Sequence, residues 1–213
     1  MRSVGAGWLS RGPGIVRGRV VSSVVVIGLG VVLGLVGPVA GKFDNGVCGA
    51  LSVAFSGGWP WACFAFLVGL SRTSKAEAAL LASFGLAAGV VAYYLFKDAY
   101  PARGGVGGGV SSKVLTWGVA AFLFGAPVGV VGNLARTPGL GGLFFRLLVP
   151  LIAWFETSQR LRMEAEGQSA VVQGTWAVVR VGAWLVAALL VGHTVWGWWR
   201  GRSGRADASA RGL

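Results

Sequence analysis

Four polar residues lie within or beside the apolar stretches of this chain and are candidates for ligand binding or catalysis. Glu156 ends the fifth predicted membrane span, and Arg180 lies about one turn into the sixth. Because these helices are antiparallel neighbours, we expect a desolvated Glu156–Arg180 ion pair. The alternative is two independent charges at the wet membrane interface, where a charge needs no partner.

The other two candidates are Arg146 and Asn133. Arg146 lies about two turns inside the fifth span, where an ionisable side chain is costly and marks a candidate functional residue. Its side chain points toward the start of its helix, so we favour snorkelling or structural pairing over a ligand role. Asn133 closes the fourth span, where it either caps the helix or hydrogen-bonds across to a neighbour.

Catalysis and metal binding require groups of residues that this sequence lacks. Cys48 and Cys63 lie in apolar surroundings without a CxxC motif, and we interpret them as buried thiols. His193 stands alone, and we interpret it as interfacial. An enzyme acting on lipid would have only Glu156 and His193, which we place near opposite membrane faces. Without a nucleophile–base pair, HExxH or phosphate loop, we predict no enzyme activity, no cofactor and no metal.

A helix break at Gly57, Gly58 and Pro60 interrupts the second apolar stretch. In one interpretation, a single long helix kinks in mid-membrane. In the other, residues 43–56 re-enter the membrane or lie at its interface, and the span starts near Gly58. We favour the second, because it puts the flanking tryptophans at an interface. It leaves a span shorter than the ~20 residues usually needed.

The composition of the chain predicts that these residues lie on membrane helices. Of 213 residues, 54% are hydrophobic and only 12% are charged, about half the usual charged share of soluble proteins. The net charge is +12, but the basic residues flank apolar runs. We therefore predict contacts between the basic tails and anionic lipid headgroups, and no nucleic-acid partner. The predicted fold class is all-α, a polytopic transmembrane helix bundle.

About six spans are expected in one transmembrane domain, residues 20–199. Basic tails at 1–19 and 200–213 flank it, and we expect the second tail to be disordered. Beyond the fifth span, a polar helix is predicted with i,i+4 pairs Arg160–Glu164 and Arg162–Glu166. A glycine-rich connector follows the third span. The spans cover residues 20–39, 58–71, 76–96, 114–135, 140–155 and 176–199.

The distribution of basic residues predicts the orientation. Eleven of the 19 Lys and Arg lie outside the spans on the side of both termini, and six lie on the opposite side. The positive-inside rule then predicts a multi-pass protein of the cell membrane with both termini cytoplasmic.

Four small-xxx-small glycine pairs lie in the predicted spans. Such pairs let helix backbones approach closely, so we interpret them as packing faces within the bundle. A homo-oligomer through the same faces is the alternative. The pairs are Gly30/Gly34, Gly37/Gly41, Gly85/Gly89 and Gly125/Gly129.

Several short motifs resemble a family of small actinobacterial integral membrane proteins classed only as a domain of unknown function. They are the run from Ser56 to Trp61 leading into 65–69, Ala92-Tyr93-Tyr94-Leu95, Trp117 with 124–129, and Phe155-Glu156. The resemblance covers about residues 24–195. It implies a small bacterial membrane protein and supplies no activity.

Two functions fit this reading. The first is a non-enzymatic membrane module or scaffold, supported by the glycine-rich packing faces and the lack of catalytic groupings. The second is a small-solute transporter or channel component, because discontinuous helices line substrate sites in transporters.

Overall fold

The computed structural model describes residues 13–100, 110–164 and 166–211, and this part of the chain is helical without a strand. The predicted connector 104–109 and the first twelve residues lie outside the described residues. Seven helices are present: α1 (Pro13–Ala40), α2 (Gly46–Ser56), α3 (Trp59–Ser71), α4 (Lys75–Ala99), α5 (Val110–Leu134), α6 (Leu140–Met163) and α7 (Ala170–Arg211).

Five of these helices are long and apolar enough to cross a membrane: α1, α4, α5, α6 and α7. The bent pair α2–α3 supplies a sixth span if it is counted as one. Large apolar side chains on the outside, such as Phe144 at 76% exposure and Leu189 at 72%, face outward, as lipid permits and water would not. The all-α membrane bundle is confirmed, and the protein is a multi-pass membrane protein.

Helix directions follow from the closest contacts. Gly30 lies against Gly85 and Gly34 against Gly89, so α1 and α4 run parallel. α5 packs antiparallel to α4, with Ser83 beside Gly125. α1, α4 and α6 therefore all finish at one end of the bundle, which we call the far end. Under the predicted orientation the far end is the outer one.

The predicted glycine pairs pack within this one chain. A methyl group at Gly30 would overlap the Gly85 carbonyl, and one at Gly34 would overlap the Gly89 carbonyl. Gly125 and Gly129 meet the backbone of α4 in the same way. The homo-oligomer through these faces stays a prediction, and it would have to displace these contacts.

α7 continues to Arg211, and the disorder expected for residues 200–213 stays a prediction. The polar segment after the fifth span differs from the sequence prediction. α6 ends at Met163, with Glu164 as its C-cap. Arg162 and Glu166 therefore lack helical i,i+4 spacing, and the ion pairs within 4.0 Å among described residues do not include them.

Candidate functional site

The helix break lies where the sequence predicts it. Asn45 caps the start of α2 by accepting a hydrogen bond from the Cys48 N–H at 2.8 Å. α2 ends at Ser56, α3 begins at Trp59, and the two helices meet at 65°. The extended backbone of Gly57 ends α2, and Pro60 in the first turn of α3 has no N–H that could continue it.

The observed geometry agrees in part with each of the two predicted interpretations. α3 starts next to Gly58, as in the second, but α2 and α3 together occupy both halves of the bundle, as a single kinked span would. α3 has 13 residues, about 20 Å at 1.5 Å per residue, and is too short to cross a ~30 Å hydrocarbon core alone. α2 packs against the last turns of α1, with Gly37 beside Phe55 and Gly41 beside Ser52. α2 therefore fills the far half of the bundle, above α3.

Glu156 of α6 binds the start of α3 at the helix break. Its Oε1 accepts a hydrogen bond from the Gly58 N–H and its Oε2 accepts one from the Trp59 N–H, both at 2.9 Å. These donors start α3 and have no partner within the helix. A carboxylate also suits the positive end of the helix dipole. A side chain at Gly57 would crowd the carboxylate, because its Cβ would lie 2.9 Å from Oε1.

The predicted Glu156–Arg180 pair is not formed. Glu156 pairs instead with Arg160, one turn later on the same helix, at 3.2 Å. Arg160 also meets Glu164 at 3.3 Å, as predicted, and lies over the Trp176 ring at 5.8 Å. The prediction was wrong because the Glu156 carboxylate faces the start of α3 rather than α7. Among the described residues, the ion pairs within 4.0 Å do not include Arg180.

A cavity of about 550 Å³ lies on the other side of the break. Residues from α2, α3, α4 and α5 line it, with Ile152 from α6. Trp117 and Phe124 in this lining are 56% and 70% exposed, so the cavity opens sideways, toward lipid. The aromatic residues of the lining are Phe55, Trp61, Tyr93, Tyr94, Trp117 and Phe124.

The polar residues at the opposite end of the bundle serve its structure. Arg146 donates from Nε to the Ala135 carbonyl at 2.9 Å and from Nη2 to the Thr137 carbonyl at 3.2 Å. It therefore satisfies carbonyls just past the end of α5, in agreement with the expected structural pairing. Asn133 is buried and donates from Nδ2 to the Arg72 carbonyl at the end of α3, which is the cross-helix alternative.

Sequence reasoning missed Arg72, which joins this end of the bundle. Its Nη1 meets Glu77 at 3.4 Å and its Nη2 donates to the Ser22 carbonyl at 3.4 Å. Arg72 thus ties α1, α4 and, through Asn133, α5 to the end of α3. An arginine five residues before a glutamate in a short turn is the only signal that the sequence offers.

His193 and the two cysteines take no part in the break or the cavity lining. Glu156 shares a small pocket with Val179 of α7, and His193 lies 14 residues further along that helix. That separation is about 20 Å at 1.5 Å per residue, so the two residues do lie far apart. Cys48 and Cys63 are free and partly buried. In the described part of the chain, no group of three His, Cys, Asp or Glu side chains is placed to hold a metal ion.

No protein-family model matches this chain, and no similar protein was found among curated proteins or solved structures. The resemblance to the actinobacterial family therefore stays a prediction.

Proposed function

We propose that this protein is a non-enzymatic membrane module that holds the apolar chain of a lipid in the cavity beside its helix break. The cavity is the observation that carries the proposal. Its volume, about 550 Å³, lies within the ~300–1,000 Å³ that is typical of ligand sites. Its lining is almost wholly apolar, which suits a hydrocarbon chain and not a hydrophilic solute.

The open side of the cavity indicates how such a chain enters. Trp117 and Phe124 lie at the lipid-facing surface of α5 and also line the cavity. A bilayer chain can therefore enter sideways without crossing a polar surface. An empty apolar gap forfeits dispersion contacts on one side, so filling it stabilises the bundle.

The lining also supports a binding role over catalysis. The lining of this cavity includes no His, Cys, Asp, Glu, Lys or Arg side chain. The Glu156 carboxylate lies behind the Gly57–Gly58 backbone and is already engaged by two N–H groups and Arg160. Its geometry suits holding a helix in place.

Filling the cavity is expected to expel the lipid. Ala120 lines the cavity, and Ala120→Phe places a ring in the space of the chain. Native mass spectrometry of protein released from a lipid-rich detergent should show about tenfold less retained lipid, which corresponds to ~1.4 kcal/mol of lost packing.

Val119→Phe is the matched control for this experiment. Val119 precedes Ala120 on α5, is 50% exposed and lies outside the cavity lining. Its replacement should leave the retained lipid unchanged. Equal retention by wild type, Ala120→Phe and Val119→Phe would contradict the proposal.

A transporter role is the second candidate, and the 65° break favours it. In transporters, the ends of broken helices form substrate sites near the middle of the membrane. Here the end of α2 and the start of α3 both border the cavity. Solute flux in proteoliposomes that stops in Ala120→Phe and persists in Val119→Phe would support this candidate over simple binding.

The orientation belongs to the same proposal. The excess of basic residues on the side of the termini supports cytoplasmic ends and a cavity in the outer half of the cell membrane. Single cysteines at Gly46 and Gln168 should then react with an impermeant reagent in intact cells, and those at Ser74 and Thr137 should be protected. The opposite pattern would reverse the orientation.

A further inference from the structure

An ammonium group lies at the rim of the cavity, toward the far end of α4. Tyr93 lines the cavity, and Lys97 lies one turn further along α4. Lys97 Nζ donates to the Tyr93 hydroxyl at 3.0 Å and lies 4.9 Å from the centre of that ring. The ammonium group of Lys97 is thereby held at the edge of the apolar space.

Lys42 brings a second positive charge to the same end of α4. Its Nζ donates to the Tyr100 carbonyl at 2.6 Å. Tyr100 is the C-cap of α4 and lies outside the cavity lining. Lys42 comes from the turn after α1, so lysines from two different elements lie at the far end of α4.

Neither ammonium group is neutralised within the described residues. The ion pairs within 4.0 Å in this part of the chain include neither Lys42 nor Lys97. The nearby acids in sequence, Asp44 and Asp98, are exposed and form no such pair. Each ammonium group has three protons. One of them is donated in a hydrogen bond to a tyrosine oxygen, so two remain for hydrogen bonds to a ligand.

A polar contact is also what selects one lipid over another at such a site. The cavity lining is apolar, so it contacts the hydrocarbon chains of different lipids about equally well. Selection among lipids must then come from the headgroup. Unpaired ammonium groups beside the cavity favour an anionic oxygen group over a zwitterionic one.

We propose that the cavity takes a lipid with an anionic phosphate-containing headgroup, held by Lys97 at the rim and by Lys42 at the far end of α4. The proposal rests on the proposed function, because the chain must occupy the cavity for the headgroup to reach the rim. The chain lies against Tyr93 and Trp117, and the headgroup accepts hydrogen bonds from the ammonium groups.

The test is a competition between two lipids with identical chains. Full-length protein is equilibrated with equimolar phosphatidylglycerol and phosphatidylcholine, and native mass spectrometry gives the ratio of the two bound lipids. Wild type should prefer phosphatidylglycerol. Lys97→Gln and Lys42→Gln should each lower that preference about fivefold, the effect of one lysine near an anionic lipid.

Lys75→Gln is the matched control. The substitution removes the same charge, but Lys75 lies at the opposite end of α4, where the helix begins. It should leave the ratio unchanged. An equal loss in Lys75→Gln would mean that net charge alone sets the preference, which overturns the proposal. A wild type that binds both lipids equally would overturn it as well.

Two further comparisons distinguish a lipid headgroup from a free anion, and headgroup binding at the rim from chain binding in the cavity. If inorganic phosphate protects Lys97 from an amine-acylating reagent as well as phosphatidylglycerol does, the rim binds a free anion and the lipid proposal fails. If Lys97→Gln leaves the ratio unchanged and Ala120→Phe still expels lipid, the headgroup inference fails and chain binding stands. If wild type retains no lipid, both fail.

Discussion

Glu156→Ala is expected to lower the free energy of unfolding by about 2–4 kcal/mol, the range for losing a helix cap together with one partner of a largely buried ion pair. The Glu156 side chain is 20% exposed, and its two oxygens accept the N–H groups of Gly58 and Trp59. Its removal leaves those donors unpaired and Arg160 without its closer partner. Reversible unfolding in mixed micelles measures the change.

Two variants separate this effect from a general loss of charge. Glu156→Gln keeps one oxygen acceptor, so it should lose less stability than Glu156→Ala. Glu164→Ala removes the other partner of Arg160, but the Glu164 side chain is 54% exposed and hydrogen-bonds Arg160 rather than the N–H groups at the start of a helix. It should change stability little, as exposed pairs usually do. If Glu164→Ala costs as much as Glu156→Ala, the capping role of Glu156 is refuted.

Gly30→Ala is expected to destabilise the protein by about 1–3 kcal/mol, the usual cost of overpacking. The added methyl group would overlap the Gly85 carbonyl, and neither helix backbone can yield without moving the α1–α4 interface. The same unfolding experiment measures the loss.

Gly28→Ala supplies the control two residues earlier on α1. Nothing lies within 4 Å of a methyl group at this position. Alanine has the better helix propensity, so this variant should equal wild type or gain up to ~1 kcal/mol. Equal losses in the two variants would show that α1 and α4 do not pack through Gly30.

The sequence predicted the helix break well, because its causes are local. Gly57 and Gly58 lack side chains and Pro60 lacks a donor, so a continuous helix is disfavoured whatever surrounds it. The partner of Glu156 could not be predicted in the same way. Whether its carboxylate points to α3 or to α7 depends on the rotation of α6 about its axis, which packing sets.

The cavity is a second feature that local reasoning could not supply. Tyr93 and Trp117 could be assigned to a membrane interface from their residue types. Whether both residues line one cavity depends on how α3, α4 and α5 diverge around the helix break. The glycine pairs could be predicted in part. Their spacing identified Gly30 and Gly34 as packing residues, but it did not identify Gly85 and Gly89 as their partners.

Photolabelling within a bilayer shows whether a lipid chain occupies the cavity. A phospholipid with a diazirine in its acyl chain is activated by light, and mass spectrometry maps the adducts. Leu86 lines the cavity but is only 5% exposed, and Leu185 on α7 is 60% exposed outside the lining. We expect label on both residues in wild type and on Leu185 alone in Ala120→Phe. Label on Leu185 without label on Leu86 in wild type would rule out a lipid chain in the cavity.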